Sequence, residues 1–107
     1  MDPDAESWNM RADSLAEHGR FEEAVKAFDR AIAISPDNAQ AWLGKGISLA
    51  ALGRHGEAVA AFDYVIQINH DDAEAWFKKG ISLAALDRND ESVEAFNHAI
   101  ILTMQVR

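Results

Sequence analysis

Lys45-Gly46-Ile47-Ser48-Leu49-Ala50-Ala51-Leu52 recurs unchanged as Lys79-Gly80-Ile81-Ser82-Leu83-Ala84-Ala85-Leu86, 34 residues further on. Working outward from this block, Trp8, Trp42 and Trp76 keep the same spacing. So do Leu15, Leu49 and Leu83, then Phe28, Phe62 and Phe96, and finally Ile32, Ile66 and Ile100. Self-similarity at one fixed period marks a repeat architecture. It divides the chain into units 5–38, 39–72 and 73–106 of a single domain spanning 1–107. Units two and three are identical at about half of their aligned positions.

Each unit reads as two helices. In unit two, Trp42, Gly46, Leu49 and Ala50 follow the i, i+4, i+7, i+8 spacing of one helix face. The pattern breaks at Gly53-Arg54-His55-Gly56 and resumes through Ala58, Val59, Phe62, Val65 and Ile66. Asp2 with Pro3, Asp37 with Asn38, and Asp71 with Asp72 supply helix N-cap material. Pro36 falls just past a helix end, where it stops the helix. β-branched residues do not alternate with period two, so the fold class is all-α. The expected helices cover 4–17, 21–34, 38–51, 55–68, 72–85 and 89–103. Gly46 and Gly80 lie mid-helix at a cost of about 1 kcal/mol each relative to Ala, which close packing on the partner helix would offset. The tryptophans are expected to fill the wedge between paired helices, with truncation costing roughly 3–5 kcal/mol if they are fully buried.

A 34-residue helix–turn–helix with Trp, Gly or Ala, then Ala-x-x-x-Phe, then Ala and Pro, resembles the tetratricopeptide repeat. Unit one carries Trp8, Ala12, Ala24, Phe28, Ala31 and Pro36 at the matching positions. Unit two carries Trp42, Gly46, Ala58 and Phe62, with Val65 and His70 in place of the later Ala and Pro. Unit three carries Trp76, Gly80, Phe96 and Ala99, with Ser92 and Met104 as departures. The family's Leu is Arg11, Lys45 or Lys79 here, and its Tyr is Leu15, Leu49 or Leu83. The resemblance covers nearly the whole chain. It implies a right-handed superhelical solenoid of three units and six helices, with no separate capping helix, whose first helices line a concave groove for a peptide or helix.

Composition narrows the function. The net charge is −8, from 18 acidic residues against 10 Lys plus Arg. Duplex nucleic acid needs clustered cations, so no nucleic-acid partner is expected, whereas basic partners suit the charge. There are no cysteines, which removes disulfides, thiolate metal sites and cysteine nucleophiles. The acidic start Met1-Asp2-Pro3-Asp4 has no signal-peptide character, and no apolar run approaches the ~20 residues of a membrane helix. A cytoplasmic protein without membrane association is the expectation.

The search for chemistry returns little. His18, His55, His70 and His98 share no helix at i, i+4 spacing and form no His-Glu-x-x-His pattern. His70-Asp71-Asp72 with Glu74 is the densest cluster, and helix capping explains its acids more simply. Asp2, Asp4 and Glu6 lack the remaining spacing and the glycine of a calcium loop; charge at a helix start explains them. Ser48 and Ser82 occupy one repeat position, a structural signature rather than a nucleophile's. No apolar pocket that would raise a carboxylate pKa is apparent. Neither a metal, a cofactor nor an enzymatic activity is expected.

The surface left after packing points to protein binding. Leu43 and Ile47 in unit two, and Phe77 and Ile81 in unit three, form a second apolar stripe beside the tryptophans, more than one neighbour requires. In unit one the matching positions are Asn9 and Asp13, and Glu6 and Glu17 make that end acidic. A groove of Glu6, Asn9, Asp13, Glu17, Leu43, Ile47, Phe77, Lys78 and Ile81 suits a partner with both basic and apolar side chains. Chaperone-binding members of the family clamp a terminal carboxylate with Lys and Asn, then Asn, then Lys and Arg. The matching residues here are Asn9 and Asp13, then Gly44, then Glu74 and Lys78, so that clamp is absent.

The last helix suggests a second interaction. Val93, Phe96, Ile100, Ile101 and Met104, with Val106 beyond, carry more apolar surface than one hairpin covers, and exposed apolar patches mark interfaces. The chain reaches Arg107 with no residues left for a cap. The alternative function is therefore a self-associating assembly module, a two-fold homodimer in which each terminal helix covers the other.

Overall fold

The computed structural model describes residues 4–105. Within them lie six helices in chain order: α1 (Ala5–Glu17), α2 (Phe21–Ile34), α3 (Ala39–Ala51), α4 (His55–Ile68), α5 (Ala73–Ala85) and α6 (Asn89–Gln105). There is no strand among the described residues. The odd helices start alike. A side-chain oxygen of Asp4, Asn38 or Asp72 accepts the backbone N–H three residues on, at 2.9, 3.2 and 3.1 Å. The first cap is thus Asp4; Asp2 and Pro3, like Val106, fall outside the described residues. The even helices have no such cap where units one and two turn. Arg20 and Arg54 stand there instead and reach forward with two nitrogens each onto Glu23 and Glu57, as Arg88 does onto Glu91. The turns within hairpins close through a left-handed residue. It is Gly19 (φ +75°) and Gly53 (φ +79°), then Asp87 (φ 61°) in the third, where Asp is one of the few side-chain-bearing residues that tolerate that region.

Packing repeats with the sequence. Phe28, Phe62 and Phe96 of the even helices each take the room left by one glycine. A Cβ on Gly46 would come 2.6 Å from the Phe62 ring and one on Gly80 2.7 Å from Phe96. In unit one the glycine comes from the following unit: the Phe28 ring fills the space a Gly44 side chain would need. Phe28, Phe62, Leu49 and Leu83 are wholly buried, along with Ala12, Ala24, Ala31, Ala41, Ala58 and Ala75. Between units, Lys45 pairs with Asp29 and Lys79 with Asp63, both at 2.7 Å.

The tryptophans depart from expectation. They are half-buried rather than sealed in a wedge. The Trp42 indole N–H donates to the Pro36 carbonyl at 2.8 Å and that of Trp76 to the His70 carbonyl at 3.0 Å, tying each first helix to the turn before it. Tyr64 stacks on Trp42 and His98 on Trp76, both with centroids 4.2 Å apart. An amphipathic ring with one edge toward solvent has less to lose on truncation than a sealed one.

Odd helices touch one another, α1 with α3 and α3 with α5, whereas the even helices are kept apart. The array therefore curves with α1, α3 and α5 on its inner side.

Candidate functional site: the inner groove

The inner side brings together the residues singled out from sequence, but unequally. Leu43 and Ile47 are half-buried. Leu43 packs with Trp42, Val65 and Ile66, and Ile47 packs against the cluster of Leu49, Ala58 and Phe62. α3 has an odd helix on each side, so its second stripe is largely spent on neighbours. α5 has one such neighbour among the described residues, and Phe77 and Ile81 remain 49% and 42% exposed. Phe77 leans on Phe96 with centroids 5.5 Å apart. Lys78 is half-buried between these two apolar residues in sequence.

The opposite end is acidic. Glu6, Asp13 and Glu17 are exposed on α1. Partial desolvation beside the helix array pushes the still largely exposed Asp13 carboxyl above its ordinary value, and Glu17 one turn on pushes it further. Asn9 is half-buried and its Oδ1 meets no partner. No carboxylate clamp is assembled: Asp13 and Glu74 carry the wrong charge, and at Gly44 the space for a side chain is held by Phe28.

Two features escaped the sequence reading. On the outer side, each hairpin has a hollow lined by the same seven repeat positions. In unit one these are Trp8, Arg11, Leu15, Glu23, Lys26, Ala27 and Arg30, around about 250 Å³. Arg11 and Arg30 lie over the Trp8 ring, 4.9 and 5.4 Å from its centroid. Unit one is thus polarised, with three of its bases, Arg11, Lys26 and Arg30, gathered at the hollow and Glu6, Asp13 and Glu17 inside. Helical phase could have shown this, since Trp8, Arg11 and Leu15 share a face. The second feature is an apolar pocket. It holds about 370 Å³ between Ala73, Glu74, Phe77, Ala99, Ile100, Thr103 and Met104. Phe77 of the groove and Ile100 and Met104 of the terminal edge, separate in the sequence reading, border one space.

On α6, Val93 and Ile100 lie at the positions by which Val59 and Ile66 of α4 face α5, while Phe96, like Phe62, turns its ring onto the glycine of its own hairpin. Ile101 matches Ala33 and Gln67, exposed in their own units, and so belongs to the outer face. The four histidines stay dispersed. His18 bonds the Ser14 carbonyl at 2.7 Å, His55 meets Ser82 Oγ at 3.3 Å, and His70 and His98 flank Trp76. No group of three or more candidate metal ligands forms among the described residues, and no helix there is long and apolar enough to cross a membrane.

A family model described as tetratricopeptide repeat matches residues 9–73, and a second of the same description matches 73–102. The chain belongs to the tetratricopeptide repeat family. No curated protein matches it. Among solved structures, the tetratricopeptide chain superposes on MamA with a TM-score of 0.92 at 24% identity, over 95% of its own length and 60% of that chain. It matches the TPR2B domain of yeast Sti1, solved as a complex with pHsp70, with a TM-score of 0.92 at 22% identity, covering 95% of this chain and 82% of that one. It matches the second tetratricopeptide domain of Spaghetti (RPAP3), bound to the HSP90 peptide SRMEEVD, with a TM-score of 0.89 at 20% identity and coverages of 92% and 91%. At these identities the likeness is one of fold. The chain spans about 60% of the MamA chain.

Proposed function

We propose that this tetratricopeptide chain is a non-enzymatic binding module that captures a segment of a partner protein along α1, α3 and α5. The observation that carries the reading is the gradient along the inner side, from Glu6, Asp13 and Glu17 to exposed Phe77 and Ile81. Structures of the same fold hold peptides of HSP90 and Hsp70, which supports the ligand class. Their ligand chemistry does not carry over, because Asp13 and Glu74 repel a carboxylate. The fitting segment is basic where it crosses α1 and apolar where it reaches α5. Three helices at 8–10 Å spacing span roughly 20 Å, about six extended residues at ~3.3 Å each.

The test is fluorescence anisotropy with two labelled peptides of about eight residues, enough to cross that span. One carries two arginines followed by two leucines, and the other carries acids in place of the arginines. The first is expected to bind and the second not. Phe77→Glu should weaken the first by tenfold or more with an unchanged far-ultraviolet circular dichroism spectrum. Equal binding of both peptides would overturn the charge assignment. An unfolded Phe77→Glu protein would show that Phe77 is core rather than groove.

A further inference from the structure

The face of α6 that stands open has a known occupant at two other places in the same chain. Val25 and Val59 are 8% and 7% exposed, whereas Val93 at the same repeat position is 57% exposed. What covers the first two is the first helix of the following unit: Val25 clusters with Leu49 of α3 and Val59 with Leu83 of α5. The α1 helix has the converse deficit. Leu15 is only half-buried where Leu49 and Leu83 are sealed. Ser14 is exposed where Ser48 and Ser82 show no surface at all. Met10 is 66% exposed, at the position where Gly44 meets Phe28.

We infer that a second copy of this chain docks its α1 on the open face of α6, continuing the solenoid head to tail. Four contacts that join units within the chain have a chemically matched continuation where the repeat would run on. The contact of Val59 with Leu83 becomes Val93 with Leu15 of the second copy. His55, whose ring nitrogen meets Ser82 Oγ at 3.3 Å, becomes Asn89 opposite Ser14, an amide and a hydroxyl. Glu22, 4.0 Å from Arg54, becomes Asp90 opposite Arg20. Asp63, paired with Lys79, becomes Asn97 opposite Arg11, which still gives a guanidinium an acceptor. In none of the four does a charge face an apolar group or a like charge. A two-fold pairing of α6 on α6 would cover Val93 and Ile100 but would leave Ser14, Leu15 and Met10 of α1 without a partner. A head-to-tail contact is heterologous and does not close at two copies.

The experiment is sedimentation velocity of the 1–107 chain over a dilution series. It is run at about 0.15 M salt, where charges more than ~8 Å apart are screened and the net charge of −8 opposes association least. Mass should rise with concentration past the dimer. Two surface variants each block one end. Ser14→Arg fills a position that has no free surface when docked, and Val93→Arg charges the open face of α6. Each alone should sediment as a monomer, while an equimolar mixture should give a dimer and nothing larger, since one intact head then meets one intact tail. Circular dichroism establishes that both variants are folded. A wild-type chain that stays monomeric at high micromolar concentration would overturn the inference. So would a plateau at the dimer that Ser14→Arg leaves untouched, which is the two-fold arrangement. Failure of the two folded variants to pair would overturn it as well. None of these residues belongs to the proposed groove, so peptide binding by the monomeric variants is measured separately and either claim can fail alone.

Discussion

Ser48 and Ser82 sit in identical octapeptides and are equally buried, yet their surroundings differ. Ser82 Oγ lies 3.3 Å from a ring nitrogen of His55. The residue that stands in α2 where His55 stands in α4 is Phe21, which offers no polar atom, and Ser48 Oγ has no hydrogen-bond partner. A buried hydroxyl left unpaired carries a desolvation cost of roughly 1–3 kcal/mol, and removing it can be neutral or stabilising. Ala is also the better helix former. Ser48→Ala is therefore expected to raise unfolding free energy by about 0.5–1 kcal/mol, read as a higher urea midpoint with an unchanged slope. The comparison variant Ser92→Ala loses a hydrogen bond to the Gly80 carbonyl at 2.8 Å and should cost about 0.5–1.5 kcal/mol. A destabilised Ser48→Ala protein would mean that the hydroxyl is in fact bonded.

At the scale of elements, α1 carries a strain whose pH signature is fixed in sign. Burial first, and Glu17 second, hold the Asp13 carboxyl above its ordinary value of 3.8. A raised folded-state value means that the native chain binds the proton more tightly than the unfolded one. Stability from this group is present at low pH and is lost as pH rises through the raised value. Glu57 and Glu91 act oppositely. Hydrogen bonds from Arg54 and Arg88 lower them, so what they contribute is lost as pH falls through their folded values. Asp13→Asn should accordingly melt higher than wild type at pH 7, the gap closing as pH falls to ~3, below the ordinary Asp value, where the wild-type carboxyl is largely protonated in both states. Parallel melting curves from pH 3 to 7 would show that Asp13 is unstrained. The six helices themselves were legible from sequence to within two residues at each end, because caps and turn glycines punctuate them. Which neighbour covers each apolar stripe was not legible. Leu43 and Phe77 occupy one repeat position, and only the presence of a helix on both sides of α3 decides that the first is half-buried and the second open. The tryptophan series likewise marked the period correctly while hiding that the rings lie half-buried at the edge, those of Trp42 and Trp76 bonded to the preceding turn.

Across the whole molecule, the charge that composition reports as a bare −8 is arranged. Unit one places Arg11, Lys26 and Arg30 around the outer hollow at Trp8 and turns Glu6, Asp13 and Glu17 toward the inner side. The apolar exposure of the inner side lies two units away, at Phe77 and Ile81. Sequence alone suggested both ends of this gradient, since the acidic and apolar residues stand at matching repeat positions. The outer basic cluster was hidden because helix phase, not order along the chain, separates it from the acids. A ligand lying along such a groove meets two forces with different responses to salt. Its basic end is held by exposed charges, which are screened over ~10 Å at 0.1 M and ~30 Å at 0.01 M salt. Its apolar end is held by surface removed from water, which such salt concentrations leave nearly unchanged. For the arginine–leucine peptide, binding should weaken several-fold between 0.01 and 0.15 M salt and then level off rather than vanish. Asp13→Asn with Glu17→Gln should flatten that dependence and leave the residual high-salt affinity in place. Phe77→Glu should do the reverse, removing the residual affinity while keeping the slope. Anisotropy titrations at four salt concentrations on these proteins distinguish the two ends. If neutralising Asp13 and Glu17 leaves the salt slope as it was, the acids of α1 do not touch the ligand. The acidic end would then serve solubility alone, with the binding surface reduced to Phe77, Ile81 and the pocket that Phe77 borders.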